Sequence, residues 1–163
     1  MTRRLSLLLV LTVFGCSRST TTPPSGSDVT LDVMVARVSG APIVRAELRN
    51  DQPVAIRHGV GCSYWGPGMR LFFLDDNGDK LLLDGGVGPL CPDGIAVLQS
   101  GGRLDAARQL EGTLYTEEGH PVPMQPGKYT AVVSFGWRSV EDPANGPWQD
   151  LEKRVEFRWP VLQ

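Results

Sequence analysis

Met124-Gln125-Pro126-Gly127-Lys128-Tyr129-Thr130-Ala131-Val132-Val133-Ser134-Phe135-Gly136-Trp137 decides the fold class. From Tyr129 on, every second residue is large and apolar or is alanine: Tyr129, Ala131, Val133, Phe135 and Trp137 share one face. Thr130, Val132, Ser134 and Gly136 share the other. A period of two over this length is the mark of a β-strand with one face in a core. Pro126-Gly127 immediately before it makes a turn, so the strand over 128–140 starts at a corner.

Working outward, the same period returns along the chain. Val29, Leu31, Val33 and Val35 share one side with Asp32 and Met34 opposite, and Val44, Ala46 and Leu48 alternate with Arg45, Glu47 and Arg49. Further strands are expected over 54–60, 69–74, 80–83 and 95–99. The stretch 103–111 fits either period, and the closely flanking turns favour a strand. A last strand covers 151–161, with Val155, Phe157 and Trp159 on one face. Asp75-Asp76-Asn77-Gly78-Asp79 reads as a hairpin turn, and 84–94 and 117–123 as loops. Gly 19 and Pro 13 in 163 residues suit many turns. Seven to nine short strands without a convincing helix predict an all-β, antiparallel β-sandwich over residues 28–163.

The Met124–Tyr129 corner resembles the Leu-x-Pro-Gly-x-Tyr corner of immunoglobulin-like sandwiches. That resemblance implies structural roles for Pro126, Gly127 and Tyr129, the tyrosine hydroxyl bonding back to the backbone of the turn. The layout over 43–137 is also similar to the bacterial intracellular proteinase inhibitor family, BsuPI. The likeness rests on Leu48-Arg49-Asn50-Asp51-Gln52-Pro53-Val54, on Asp76-Asn77-Gly78 and on Gln125-Pro126-Gly127-Lys128-Tyr129. It implies an immunoglobulin-like sandwich and, as an alternative function, an exported proteinase inhibitor. No inhibitory residue carries over.

The amino terminus predicts the compartment. Arg3 and Arg4 precede an apolar run from Leu5 to Phe14, the layout of a secretory signal peptide. The run is too short to span a bilayer. Val13-Phe14-Gly15-Cys16 resembles a bacterial lipobox, which implies cleavage before Cys16 and diacylglyceryl attachment to its sulfur. Residues 1–15 are then the signal peptide and 16–27 a lipidated, disordered tether without an apolar side chain after Cys16 to bury. The expected location is the cell envelope, facing the periplasm, or the outer membrane where there is one. With Cys16 lipidated, Cys62 and Cys91 remain as a pair, and outside the cytoplasm such a pair oxidises to a disulfide. Closing roughly 30 residues in this way stabilises by about 3–4 kcal/mol.

The chain carries a net charge of −2 with both signs interspersed, which argues against nucleic acid as a partner. No cofactor is expected. His58 and His120 have no ligand neighbours at metal spacing and read as a sheet-surface and a loop residue. Asp75, Asn77 and Asp79 match the first positions of a calcium loop, but the glycine comes early and the twelfth position is Gly86, so the hairpin reading is favoured. Glu117-Glu118 and Glu141-Asp142 lie in loops, without a rigid scaffold to hold two carboxylates across a cleft. Tyr64, Trp65 and Trp148 are aromatics in loops and are the candidate binding residues. The expectation is a lipid-anchored, non-enzymatic domain that binds an envelope protein or cell-wall polymer through its end loops.

Overall fold

The computed structural model describes residues 29–38, 41–61, 65–84 and 94–159. The fold is all-β, a sandwich of two antiparallel sheets around one core. Eleven strands are described: β1 (Val29–Val38), β2 (Ala41–Asn50), β3 (Ile56–Val60), β4 (Met69–Leu74), β5 (Lys80–Leu82), β6 (Gly94–Leu98), β7 (Arg103–Gln109), β8 (Thr113–Tyr115), β9 (Pro121–Pro123), β10 (Gly127–Ser139) and β11 (Gln149–Trp159). β1, β2 and β7 form one sheet, and the other eight form the second.

The smaller sheet follows from its register. Leu31 lies opposite Leu48, Val33 opposite Ala46 and Val35 opposite Val44. Leu48 then meets Leu104, and Ala46 meets Ala106 across β7. A continuous apolar face results, and it packs on Tyr129, Ala131, Val133, Phe135 and Trp137 of β10. β11 contributes Leu151 and Phe157 to the same core. Arg108 takes the next inward position on β7, but β7 is a sheet edge. Its guanidinium turns to solvent and pairs with Asp84 at 3.1 Å.

β10 organises the larger sheet. Along one edge it pairs with β11, from Gly127↔Trp159 to Trp137↔Gln149. Its other edge is shared by two strands placed end to end. β4 takes Thr130 to Phe135, and β3 takes Trp137 to Ser139. β4 and β3 therefore fork apart beside Gly136. β6 continues outward from β3, with Ile56↔Leu98 and Val60↔Gly94.

Two turn devices fix the corners. The Asp75 carboxylate accepts from Asn77 N at 2.8 Å and from Asp79 N at 2.9 Å. Gly78, at φ 87°, closes that hairpin as Asn-Gly turns require. Asp76 Oδ2 accepts from Lys128 N at 3.1 Å and so ties the hairpin to the start of β10. At that start the Tyr129 hydroxyl donates to Gln125 O at 3.2 Å and accepts from Gln125 N at 3.0 Å.

The main differences between the sequence reading and the structure are these. There are eleven strands instead of seven to nine, because 113–115 and 121–123 form a hairpin (β8–β9) where 117–123 reads as a loop. Pro121 and Pro123 hide that strand from propensity. They are tolerated because β9 is the sheet edge, where a missing N–H breaks no ladder. His58 is not a surface residue: it is 3% exposed, opposite Trp137 on the inward face, with its ring 5.5 Å from that of Phe135. The third strand starts at Ile56, two residues later than the apolar pattern suggests.

Candidate functional site on the outer face

The fork between β3 and β4 opens a cleft of about 400 Å³ on the outer face of the larger sheet. The backbones of Gly59, Gly68, Gly94 and Gly136 contribute to its walls. Around them stand the side chains of Arg70, Ile95, Ser134, Trp148 and Asp150. The register explains the grouping. Ser134 lies opposite Arg70, Gly136 opposite Asp150, and Gly59 opposite Ile95. All sit on the face of the sheet away from the core, where side chains two apart stand side by side.

The cleft exists because side chains are missing where the strands diverge. At Gly68 the absence is structural. With φ at +81°, its position would bring a Cβ to 2.5 Å from both Gly59 O and His58 Nδ1. At Gly136 a Cβ would meet only Asp150 Oδ1, at 3.2 Å, so a small shift of that side chain would admit it. At Gly94 the nearest atom would be Val60 Cγ2, at 3.4 Å.

Trp148 is held at the rim by its loop. Arg138, buried on the outer face of β10, donates through Nη1 to Ala144 O and, at 3.5 Å, to Gly146 O. Arg57 Nη1 donates to Asp142 O at 3.4 Å, and Ser139 N donates to Asp142 Oδ2 at 3.0 Å. The Arg138 guanidinium then lies 4.8 Å from the Trp148 ring centroid, a cation–π contact that fixes the indole from one side. Trp148 stays 42% exposed. Ile95, which lines the cleft with it, and Val97, two residues further along β6, are 58% and 50% exposed. With Met34 these are the exposed large apolar side chains of the described residues, and two of the four, Trp148 and Ile95, line the same cleft.

The sequence candidates fall into separate places. Trp148 lines the cleft. Trp65 is half-buried, packs on the core and bridges to Met69, outside the cleft lining. Cys16, Cys62, Tyr64 and Cys91 lie outside the described residues. The Tyr129 corner is at the opposite end of β10 from Gly136–Trp137 and supports the fold. Ile95, Arg70, Ser134 and Asp150 are cleft residues that sequence reading does not single out. The signal was present at Ile95-Ala96-Val97-Leu98, a strand with both faces apolar on what turns out to be a sheet edge.

Chemically, the lining offers an indole and an aliphatic surface beside a guanidinium, a hydroxyl and a carboxylate. Those groups bind and orient. Among the described residues no group of three or more His, Cys, Asp and Glu is placed to hold a metal ion. His58, the imidazole nearest the cleft, has Nδ1 3.0 Å from Gly59 O and its ring in the core.

No protein-family model matches the chain, and no curated protein matches it. Among solved structures, the ASH / PapD-like domain of human CEP192 (PapD-like domain 7) is similar at 12% identity. It covers 96% of this chain and 96% of that one, with a TM-score of 0.40. The GAE domain of GGA2p from Saccharomyces cerevisiae is similar at 9% identity over 82% of this chain and 91% of that one, with a TM-score of 0.28. Neither likeness reaches a level that bears on function.

Proposed function

We propose that this chain is a lipid-anchored, non-enzymatic binding domain of the cell envelope. It is tethered through Cys16 and recognises an envelope protein or polymer with the outer face of its larger sheet. The observation that carries the binding half is that Trp148 and Ile95, both exposed, line one cleft with polar walls. Exposed apolar groups gathered in one place, rimmed by polar ones, mark interaction surfaces. The surface thus moves from the loop ends expected from sequence to the sheet face beside one of those loops.

The anchor half rests on the Arg3-Arg4 start, the apolar run and the Gly15-Cys16 pair. The Cys62–Cys91 disulfide belongs to the same proposal and rests on the even pair that remains once Cys16 is lipidated.

Labelling cells with a palmitate analogue tests the anchor. The wild-type chain takes the label and Cys16→Ser does not. Retention of the unlipidated Cys16→Ser chain on isolated envelopes tests the surface. Adding Ile95→Asp and Trp148→Ala releases it; retention unchanged by both would refute the proposed face.

A further inference from the structure

We propose that the cleft takes an uncharged saccharide ring, as one unit of an envelope glycan. This names the ligand class of the surface above and rests on that binding reading. Three features of the cleft carry it.

The first is the platform. A sugar ring has a C–H face that is apolar and an equator of hydroxyls that is not. Trp148 presents a flat apolar surface of matching size, held from one side by Arg138 at 4.8 Å and exposed beyond it. An aromatic ring fixed by its neighbours orders little on binding, so stacking on it costs little entropy. Ile95 extends the apolar surface beside it.

The second is the polar edge. Asp150 accepts hydrogen bonds, Arg70 donates them, and Ser134 does both. Vicinal hydroxyls are at once donors and acceptors, so a mixed set within one cleft suits them. The charges of Arg70 and Asp150 offset one another. An anionic group drawn to Arg70 would meet the Asp150 carboxylate, and an ammonium would meet the reverse. A neutral polyhydroxylated ligand meets neither penalty.

The third is size and approach. About 400 Å³ is near the lower end for small-molecule clefts and fits one or two sugar rings. Gly136 leaves the floor open although the backbone there would accept a Cβ with only a small shift of Asp150. The opening is therefore not demanded by strand geometry, in contrast to Gly68.

The test uses the detergent-solubilised full chain and an array of uncharged oligosaccharides that includes chitotriose, maltotriose and peptidoglycan-derived disaccharides. Trigalacturonate and trialanine serve as comparators. Binding is read by the indole N–H resonance of Trp148, assigned by its loss in Trp148→Phe. The expected result is that an uncharged saccharide at about 1 mM, the weak end of specific affinity, shifts Trp148 and leaves Trp137 in place. Trp148→Ala then weakens binding by about tenfold or more. Gly136→Val, which fills the floor, does the same, and both variants keep the wild-type melting profile. No shift with any uncharged saccharide, or binding indifferent to both variants, overturns the inference. Preferential binding of trialanine or trigalacturonate overturns it too, but leaves the binding surface standing. Envelope retention that survives the surface substitutions, together with no saccharide binding, removes both.

Discussion

Replacing Asn50 with alanine removes a polar clasp from inside the sandwich. Asn50 is fully buried at the end of β2. Its amide nitrogen donates to Val54 O at 3.0 Å, Gln99 O at 3.1 Å and Leu98 O at 3.3 Å. Its Oδ1 accepts from Gln52 N at 3.2 Å. The backbone joins in, with Asn50 N donating to Gly102 O at 3.0 Å and Gly101 N donating to Asn50 O at 2.7 Å. One side chain thus holds the turn after β2 and the turn after β6, which belong to different sheets. Two N–H groups serve three carbonyls, so one is shared, and the side chain is worth about three full hydrogen bonds. At about 1 kcal/mol each, with the carbonyls left partly dry, Asn50→Ala costs about 3 kcal/mol. That is a large part of the 5–15 kcal/mol typical of a domain and corresponds to about 10 °C in Tm. Asn50→Asp goes further, because it sets a carboxylate oxygen against three carbonyls in a dry site. Burial and those carbonyls raise the pKa of the introduced carboxyl in the folded state. The folded variant therefore binds a proton that the unfolded chain has released. Its stability is highest below the unfolded value near 3.9 and declines as pH rises towards the raised folded value. Urea denaturation of wild type and both variants at several pH values measures this. At pH 7 the order should be wild type, then alanine, then aspartate, with aspartate gaining on alanine as pH falls. An aspartate variant as stable as wild type at pH 7, or one with no relative gain in acid, would refute the clasp.

Tyr129→Phe loses both hydroxyl bonds to Gln125 and should cost about 1–2 kcal/mol in urea denaturation, with the fold retained. Gly68→Ala forces a side chain into the left-handed region and into 2.5 Å contacts with Gly59 O and His58, so it should destabilise far more than Gly78→Ala, whose Cβ meets nothing within 4 Å. Glu118 is held below its ordinary 4.5 by the Thr116 side chain first, then by its own backbone N–H and by His120. A lowered folded value means a small stabilisation present above the unfolded pKa and lost as pH falls through the folded one. Thr116→Val should therefore raise the Glu118 midpoint in an NMR titration and shrink that acid-side loss.

The parts of the fold legible in sequence are those in which one face is dry and the other wet. The alternation from Tyr129 to Trp137 is clear because β10 is long and central, with apolar partners on both edges. The β8–β9 hairpin is illegible because three residues hold no period and two of β9's three are proline. Asn50 reads as the first residue of an Asn-Asp-Gln-Pro turn, which is true locally. Its full burial comes from the 98–102 turn docking on it, and a pair 48 residues apart leaves no local mark. Trp148 is visible as a loop aromatic. Its neighbours at the cleft are not, since Ser134, Gly136 and Asp150 are ordinary outward residues until the strand order is known.

That order is what makes the site. β10 has thirteen residues, and β4 has only six to offer it. The rest of the edge goes to β3, which arrives from a different connection and continues into β6. Two strands meeting end to end on one edge must diverge at the junction, and the junction needs a residue without a side chain on the β4 side. Gly68 meets that need, and its close packing against Gly59 and His58 shows how little slack exists. Gly136 and Gly94 carry no such constraint, yet they keep the outer side of the junction open. If the cleft were only a by-product of the fork, Gly136→Ala and Gly94→Ala would change neither stability nor ligand retention. If it is a binding site, the Gly136 substitution should spare stability and still weaken retention on envelopes. The two accounts thus part at a single methyl group, on a strand face where the backbone itself is indifferent.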